Sequence, residues 1–106
     1  MSHRIVKRPQ ATLGIWETAD YIAQDDLAQA EAFVEAVDQT LTFLADFPES
    51  GDKVPTRKQH LQGLRLWQVK GFPNHLILYR LVQGDVEVLA VFHGARHLPA
   101  VLRELS

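Results

Sequence analysis

The sequence predicts an α+β domain of two layers in the order β-α-α-β-β-β. Its sheet is four-stranded, mostly antiparallel, and covered on one face by a helical hairpin. Three observations predict this. From Asn74 to His97 two apolar runs flank a tight turn and end in a polar tail. From Gln10 to Phe47 apolar residues recur at helical spacing, interrupted once at Asp25-Asp26. Two shorter runs, His3 to Lys7 and Gly63 to Val69, have strand character.

The elements follow in order. Ile5 and Val6 make a short strand, expected at a sheet edge, and Pro9 ends it because proline cannot donate to a ladder. Ile15, Ala19 and Ile22 form one stripe of a first helix, flanked by Trp16 and Ala23. Gly14 weakens that helix by roughly 1 kcal/mol relative to alanine, which a close packing contact would justify. Asp26 is a good N-cap, with Gln29 three residues on as its capping-box partner. A second helix runs from there to about Phe47. Ala30, Val34, Val37, Leu41 and Leu44 repeat at alternating four and three spacing, and Phe33, Ala36, Phe43 and Phe47 widen the stripe. Phe43, if buried, is worth ~3–5 kcal/mol against alanine. Pro48 and Gly51 stop the helix.

The join between the helices is short enough only for an antiparallel helical hairpin. Asp52 to Gln62 is polar and reads as an exposed loop. In Gly63 to Val69, Leu64, Leu66 and Gln68 share one face and Arg65, Trp67 and Val69 the other. Asn74 to Val82 is apolar on both faces, as expected of a strand inside a sheet. Gln83-Gly84-Asp85 supplies a glycine for positive φ, and Val86 to Phe92 returns as a second apolar strand. Pro99 to Leu105 is long enough for one short terminal helix.

The 106 residues fit a single domain, 1–106, with no repeat, low-complexity tract or linker. At 46% hydrophobic and 23% charged, the composition is globular rather than disordered. Cysteine is absent, which excludes disulfides, thiolate nucleophiles and zinc-thiolate sites and suits a reducing cytoplasm. The N-terminus lacks the apolar region of a signal peptide, and no apolar run approaches the ~20 residues of a membrane span. The net charge of −2 hides an asymmetry: Pro9 to Asp52 carries ten acids and no lysine or arginine, whereas both flanks are basic. This reads either as solvated faces of separate elements or as two partner surfaces of opposite sign.

Several pieces, in order, resemble the ParE toxins of the RelE/ParE toxin superfamily. They are Tyr21-Ile22-Ala23 before Asp25-Asp26, then Ala30 and Phe33 on the second helix. Leu44-Ala45-Asp46-Phe47-Pro48-Glu49-Ser50-Gly51 follows at that helix's end, and Gly63-Leu64-Arg65 opens a strand. Leu78-Tyr79-Arg80 and Val91-Phe92-His93-Gly94-Ala95-Arg96-His97 complete the set. The resemblance covers nearly the whole chain. It implies a cytoplasmic toxin of a type II toxin-antitoxin system, bound and neutralised by a ParD-like antitoxin and acting on DNA gyrase. It also implies that nucleic acid is met only through gyrase and that no cofactor is needed. RelE-like relatives instead cut mRNA on the ribosome without a metal, and a shared fold does not choose between the branches.

RNA cleavage needs cations around the phosphate and a group that moves the 2′-hydroxyl proton. If the chain is a nuclease, Arg65, Arg80, His93 and Arg96 are the candidates. Arg96 sits where RelE-like nucleases keep a phosphate-binding arginine. Where they place another arginine this chain reads His75-Leu76, and Leu102 lies near the position of their C-terminal tyrosine. The set is incomplete, which favours the non-nuclease branch. Catalytic residues are then not expected, and Arg65, Arg80, His93, Arg96 and His97 are read as target-binding.

Each has a plainer alternative. Arg80 can pair with a carboxylate or cap a loop carbonyl, and so can Arg65. His93 can be a hydrogen-bonded core histidine. His93 and His97 would suit a metal only on a helix, which Gly94 disfavours, so no metal site is expected. His75, His60 and His3 read as turn or surface residues. Trp16 and Trp67 read as core, with Trp67 alternatively beside Arg65 in a basic-aromatic patch. The antitoxin is expected to fold on binding, along the helices at Trp16, Tyr21, Phe33 and Val37, and to add a strand at a sheet edge.

Overall fold

A computed structural model describes residues 2–96 and 98–105. Strand β1 (Arg4–Lys7) leads into α1 (Pro9–Ala23) and α2 (Leu27–Asp46). Then come β2 (Asp52–Lys53), a 3-10 turn (Gln59–Leu61), β3 (Arg65–Val69), β4 (Phe72–Val82), β5 (Asp85–His93) and α3 (Leu98–Glu104). The sheet has five strands in the order β1-β5-β4-β3-β2. β1 runs parallel to β5 and every other pair is antiparallel.

Pro9 does more than end β1. It occupies the first turn of α1, where a missing N–H costs nothing and its fixed φ suits the helix. Ala11, Ile15 and Ala19 turn inward from α1. Gly14 lies between them, and a Cβ there would meet the Val91 carbonyl oxygen at 2.4 Å. The helix backbone therefore rests on the β5 backbone. At the far end of α1 the Asp25 and Asp26 amides donate to the Ile22 carbonyl at 3.1 and 2.9 Å. Asp26 then turns extended, and its carboxylate accepts from the Gln29 amide at 3.1 Å. That is the cap the sequence predicted, and it sets α2 antiparallel to α1.

α2 buries Phe33, Val37, Leu41 and Leu44 against Ile77, Tyr79, Val86, Val88 and Val91 of the sheet. Phe43 and Phe47 do not join this core. They are 40% and 58% exposed, so the truncation cost expected of a buried Phe43 does not apply.

The β4–β5 turn has two residues, Gln83 and Gly84, both with positive φ (52° and 84°). That is the two-residue turn whose twist matches a hairpin, and Asp85 already belongs to β5. The ladder then shifts register between Leu78 and Tyr79, leaving Leu89 as the extra residue of a bulge. Below it Val86 and Val88 face the helices; above it Val91 does. The bulge thus reverses parity in the middle of an apparently uniform apolar run.

The second face of the sheet is also covered, where the sequence led us to expect cover on one face. Leu64, Leu78, Leu89 and Phe92 pack there with Val54, Leu61 and Val101. The reason was legible in β4, since a strand apolar on both faces needs cover on both. The cover comes from α3 and from the 54–61 segment. Asp52 to Gln62 is therefore not simply an exposed loop: it adds the short strand β2, and it buries Val54 and Leu61 at 7% and 2% exposure.

Candidate functional site

The candidate cations fall into two groups at opposite ends of the central hairpin. Arg65 turns to the end of α2, where its Nη1 donates to the Glu49 and Gly51 carbonyls at 3.1 and 2.9 Å. Tyr79 completes the same lock. Its hydroxyl accepts from the Gly51 amide at 2.9 Å and donates to the Pro48 carbonyl at 2.8 Å. Burial raises the Tyr79 pKa, so the hydroxyl keeps the proton it donates. Arg80 donates from Nε to the Glu87 carboxylate at 2.9 Å and from Nη1 to the His60 carbonyl at 2.6 Å. Arg8 lies 3.5 Å from the same carboxylate. Both arginines therefore take the bracing roles that sequence reading held open as the plainer alternative.

Arg96 stands apart, separated from Arg80 by most of the length of β5, on the order of 20 Å. The four residues offered for a nuclease centre are thus not brought together. What gathers at the open end is a different set. His75 and His93 are directly paired across β4 and β5, with ring centroids 5.0 Å apart and rings 83° from parallel. Glu17, Thr18 and Tyr21 of α1 face them across an open cleft of about 580 Å³, and Arg96 closes one side.

His93 is exposed, not a core histidine, although it is hydrogen-bonded: its Nδ1 accepts from the Ala95 amide at 2.9 Å. The Arg96 guanidinium pairs with Glu104 of α3. His75 is the residue that sequence reading missed. It is half-buried, edge-on to Phe33 and Phe72 at 5.1 and 6.3 Å between centroids. Its Nδ1 is buried with no hydrogen-bond partner. Desolvation lowers its pKa, and the neighbouring His93 lowers it further, so His75 is neutral at pH 7. His97, also expected at the target-binding end, lies outside the described residues. Among the described residues no three His, Cys, Asp or Glu side chains are grouped to hold a metal.

The helical hairpin presents a different surface. Leu13, Trp16, Tyr21 and Leu27 are 57%, 56%, 72% and 65% exposed. Every acid from Glu17 to Asp52 is exposed as well. Trp16 is consequently not a core residue, because Ala11, Ile15 and Ala19 take the inward stripe and leave position 16 pointing outward. Phe33 and Val37, expected as antitoxin contacts, are 0% exposed. Each belongs to the sheet-facing stripe of α2 and is out of reach of a partner docking on the folded chain. Trp67 faces the helical layer, half-buried, and stacks on Phe43 at 5.8 Å and 18°. With Arg65 bound to loop carbonyls, no Arg65–Trp67 patch forms.

A family model described as ParE toxin of type II toxin-antitoxin system, parDE, matches residues 5–98. No individual curated protein matches in sequence. Among solved structures, the chain is similar to one described as a chromosomal ParDE toxin-antitoxin system from P. aeruginosa, with TM-score 0.68 and 13% identity over 87% of this chain and 96% of that one. It is also similar to the YoeB dimer from Staphylococcus aureus, with TM-score 0.53 and 16% identity over 88% of this chain and 98% of that one. The YoeB-YefM complex from the same organism gives TM-score 0.50 and 17% identity, with the same coverage of each chain. At these identities the structural likenesses speak for the fold. The family match runs from within β1 through α1, α2 and strands β2 to β5 to the turn bearing Arg96, and on it the chain belongs to the ParE toxins of type II toxin-antitoxin systems.

Proposed function

We propose that this chain is a cytoplasmic toxin that binds DNA gyrase without catalysis of its own and is neutralised by a ParD-like antitoxin. The observation that carries this reading is the commitment of Arg65 and Arg80. Both are held by internal carbonyls or by Glu87, so neither guanidinium is free to clamp a scissile phosphate. On this reading the chain acts by docking. The docking end is the turn after β5, where Arg96 is exposed beside His93, with His97 next in sequence. The antitoxin surface is the acidic helical hairpin. Its exposed Leu13, Trp16, Tyr21 and Leu27 supply apolar anchors, and its acids favour a basic amphipathic segment that folds on binding.

Purified gyrase tests the target. The toxin is expected to inhibit supercoiling in proportion to its concentration, and an Arg96→Ala variant to inhibit more weakly. Supercoiling that proceeds unchanged at any concentration of folded protein rejects gyrase as the target.

One observation favours a second reading, a ribosome-dependent endoribonuclease. The His75–His93 pair and Arg96 line one cleft with Glu17 and Tyr21, a set able to move protons and meet a phosphate. Primer extension on translated message during induction separates the two. Codon-positioned cuts indicate the nuclease, and intact message with a DNA-damage response indicates gyrase.

A further inference from the structure

His93 holds a backbone amide with a nitrogen that can itself take up a proton. We infer that His93 is a pH-sensitive latch for the Gly94–Arg96 turn. Neutral, it fastens the turn through the Ala95 amide; protonated, it lets that amide go.

Three hydrogen bonds among the described residues tie down this turn. The Gly94 amide donates to the Asn74 carbonyl at 2.6 Å, and the Arg96 amide donates to the His93 carbonyl at 3.0 Å. Those acceptors are carbonyls and do not titrate. The third bond runs from the Ala95 amide to His93 Nδ1 at 2.9 Å. An amide hydrogen can donate only to a ring nitrogen that carries none, so this bond fixes the proton of neutral His93 on Nε2. In the imidazolium both nitrogens are donors. Nδ1–H would then face the Ala95 N–H, and the bond becomes a repulsion. The arrangement has the form of an Asx-turn, a side chain at one position capping the amide two residues on, with a titratable acceptor in place of asparagine's oxygen.

The surroundings make the switch local. β4 contributes His75, directly across. α1 contributes Glu17 and Tyr21 across the cleft, and the turn contributes Arg96. Glu104 of α3 pairs with Arg96 rather than with His93. α2 contributes Phe33 behind His75 and no ionisable group. Among the described residues no carboxylate is hydrogen-bonded to either ring, so a charge gained by His93 adds to that of Arg96 and faces Glu17 across open solvent. The same tautomer speaks against a metal at this pair, because a ligating histidine normally donates its second ring N–H to a partner and here that nitrogen is an acceptor. The inference concerns how Arg96 is presented and does not depend on which target Arg96 meets.

The test is an NMR titration of the ¹⁵N-labelled full chain between about pH 8 and 5, the range in which histidine changes charge. Long-range histidine spectra are expected to show Nδ1 of His93 unprotonated at the alkaline end. Protection of the Ala95 amide from exchange should fall about fivefold on acidification, the loss of one hydrogen bond, with the midpoint of the His93 titration. His93→Asn should keep Ala95 protected throughout, His93→Ala should leave it unprotected throughout, and His75→Leu should retain the transition. His93 is exposed, so both of its variants are expected to fold. A proton on Nδ1 at the alkaline end overturns the inference. So does an Ala95 amide that ignores the His93 titration, or a transition that survives in His93→Asn or vanishes in His75→Leu.

Discussion

Replacing Gly14 by alanine sets two effects of opposite sign against each other. Helix propensity alone predicts a gain of roughly 1 kcal/mol, because alanine loses less conformational freedom in a helix than glycine does. The structure predicts a loss. The new Cβ would lie 2.4 Å from the Val91 carbonyl oxygen, and the separation must grow by about 1 Å to reach ordinary contact. Both parties are backbone, so no side chain can swing aside. Either α1 lifts off β5 or the sheet buckles. A lift of that size loosens Ala11, Ile15 and Ala19 together, since all three pack through the same helix face. Overpacking of a tight core costs about 1–3 kcal/mol, and lost contacts along the stripe add to it. The net expectation is a destabilisation of about 2–3 kcal/mol after the propensity gain. For a domain of this size that is a fall in Tm of roughly 8–15 °C. Urea denaturation followed by circular dichroism measures it. An alanine variant as stable as the parent, or more stable, would refute the close approach of α1 and β5.

Other perturbations have distinct signatures. Tyr79→Phe removes one hydroxyl and strands the Gly51 amide and the Pro48 carbonyl, so about 2 kcal/mol of stability should be lost by urea titration. The pKa of His75 is lowered by folding, so the unfolded chain takes up that proton first as the pH falls. Stability is then complete above the unfolded value of about 6.5 and declines as pH drops from there toward the lowered folded value. Comparing urea midpoints at neutral and mildly acid pH should show this slope in the parent and a flatter one in His75→Leu; equal slopes would discount His75. Trp16→Ala should change stability by no more than about 0.5 kcal/mol, because the side chain is exposed. The same variant should weaken antitoxin binding at least tenfold by calorimetry, as loss of an aromatic anchor does.

The layers were legible in the sequence because they follow from periodicity. The Asp26 cap, the Ala30, Val37, Leu41 and Leu44 positions of the α2 stripe and the Gly84 turn each have a local signal and form as expected, whereas Phe43 and Phe47 at the stripe's edge do not turn inward. The candidate site was less legible because it depends on register. Counting back from the turn, where Val82 pairs with Asp85, sets His75 opposite Phe92, with the two histidines out of step. The bulge at Leu89 shifts the ladder by one and sets His75 opposite His93 instead. Nothing in Val86-Glu87-Val88-Leu89-Ala90-Val91-Phe92 announces a bulge, since every residue in it suits a strand. The exposure of Trp16 was hidden for a related reason. Position 16 flanks the stripe, and only the identity of the sheet-facing residues decides on which side of the boundary it falls.

The charges argue for a division of labour along the central hairpin. At its closed end Arg80, Arg8 and Glu87 form one cluster, and Arg4 pairs with Asp85 beside the turn. Glu87 is bonded to β4 through Arg80 and lies within ion-pair distance of Arg8, at the start of α1. Loss of its carboxylate would leave Arg80, whose side chain is only 17% exposed, without its charged partner. Removing one partner of such a half-buried pair destabilises more than the pair itself contributes, because the remaining charge stays desolvated. At the open end Arg96 pairs, among the described residues, with Glu104, and both side chains there are about half exposed. An exposed pair of this kind is worth at most about 1 kcal/mol, which a docking partner can readily replace. A cation at the open end is thus available for exchange, whereas one at the closed end is tied to the integrity of the fold. The contrast predicts that Glu87→Gln lowers thermal stability, while Glu104→Gln leaves stability nearly unchanged and alters target binding through Arg96. Equal effects of the two substitutions on both stability and supercoiling inhibition would dissolve the distinction between the two ends.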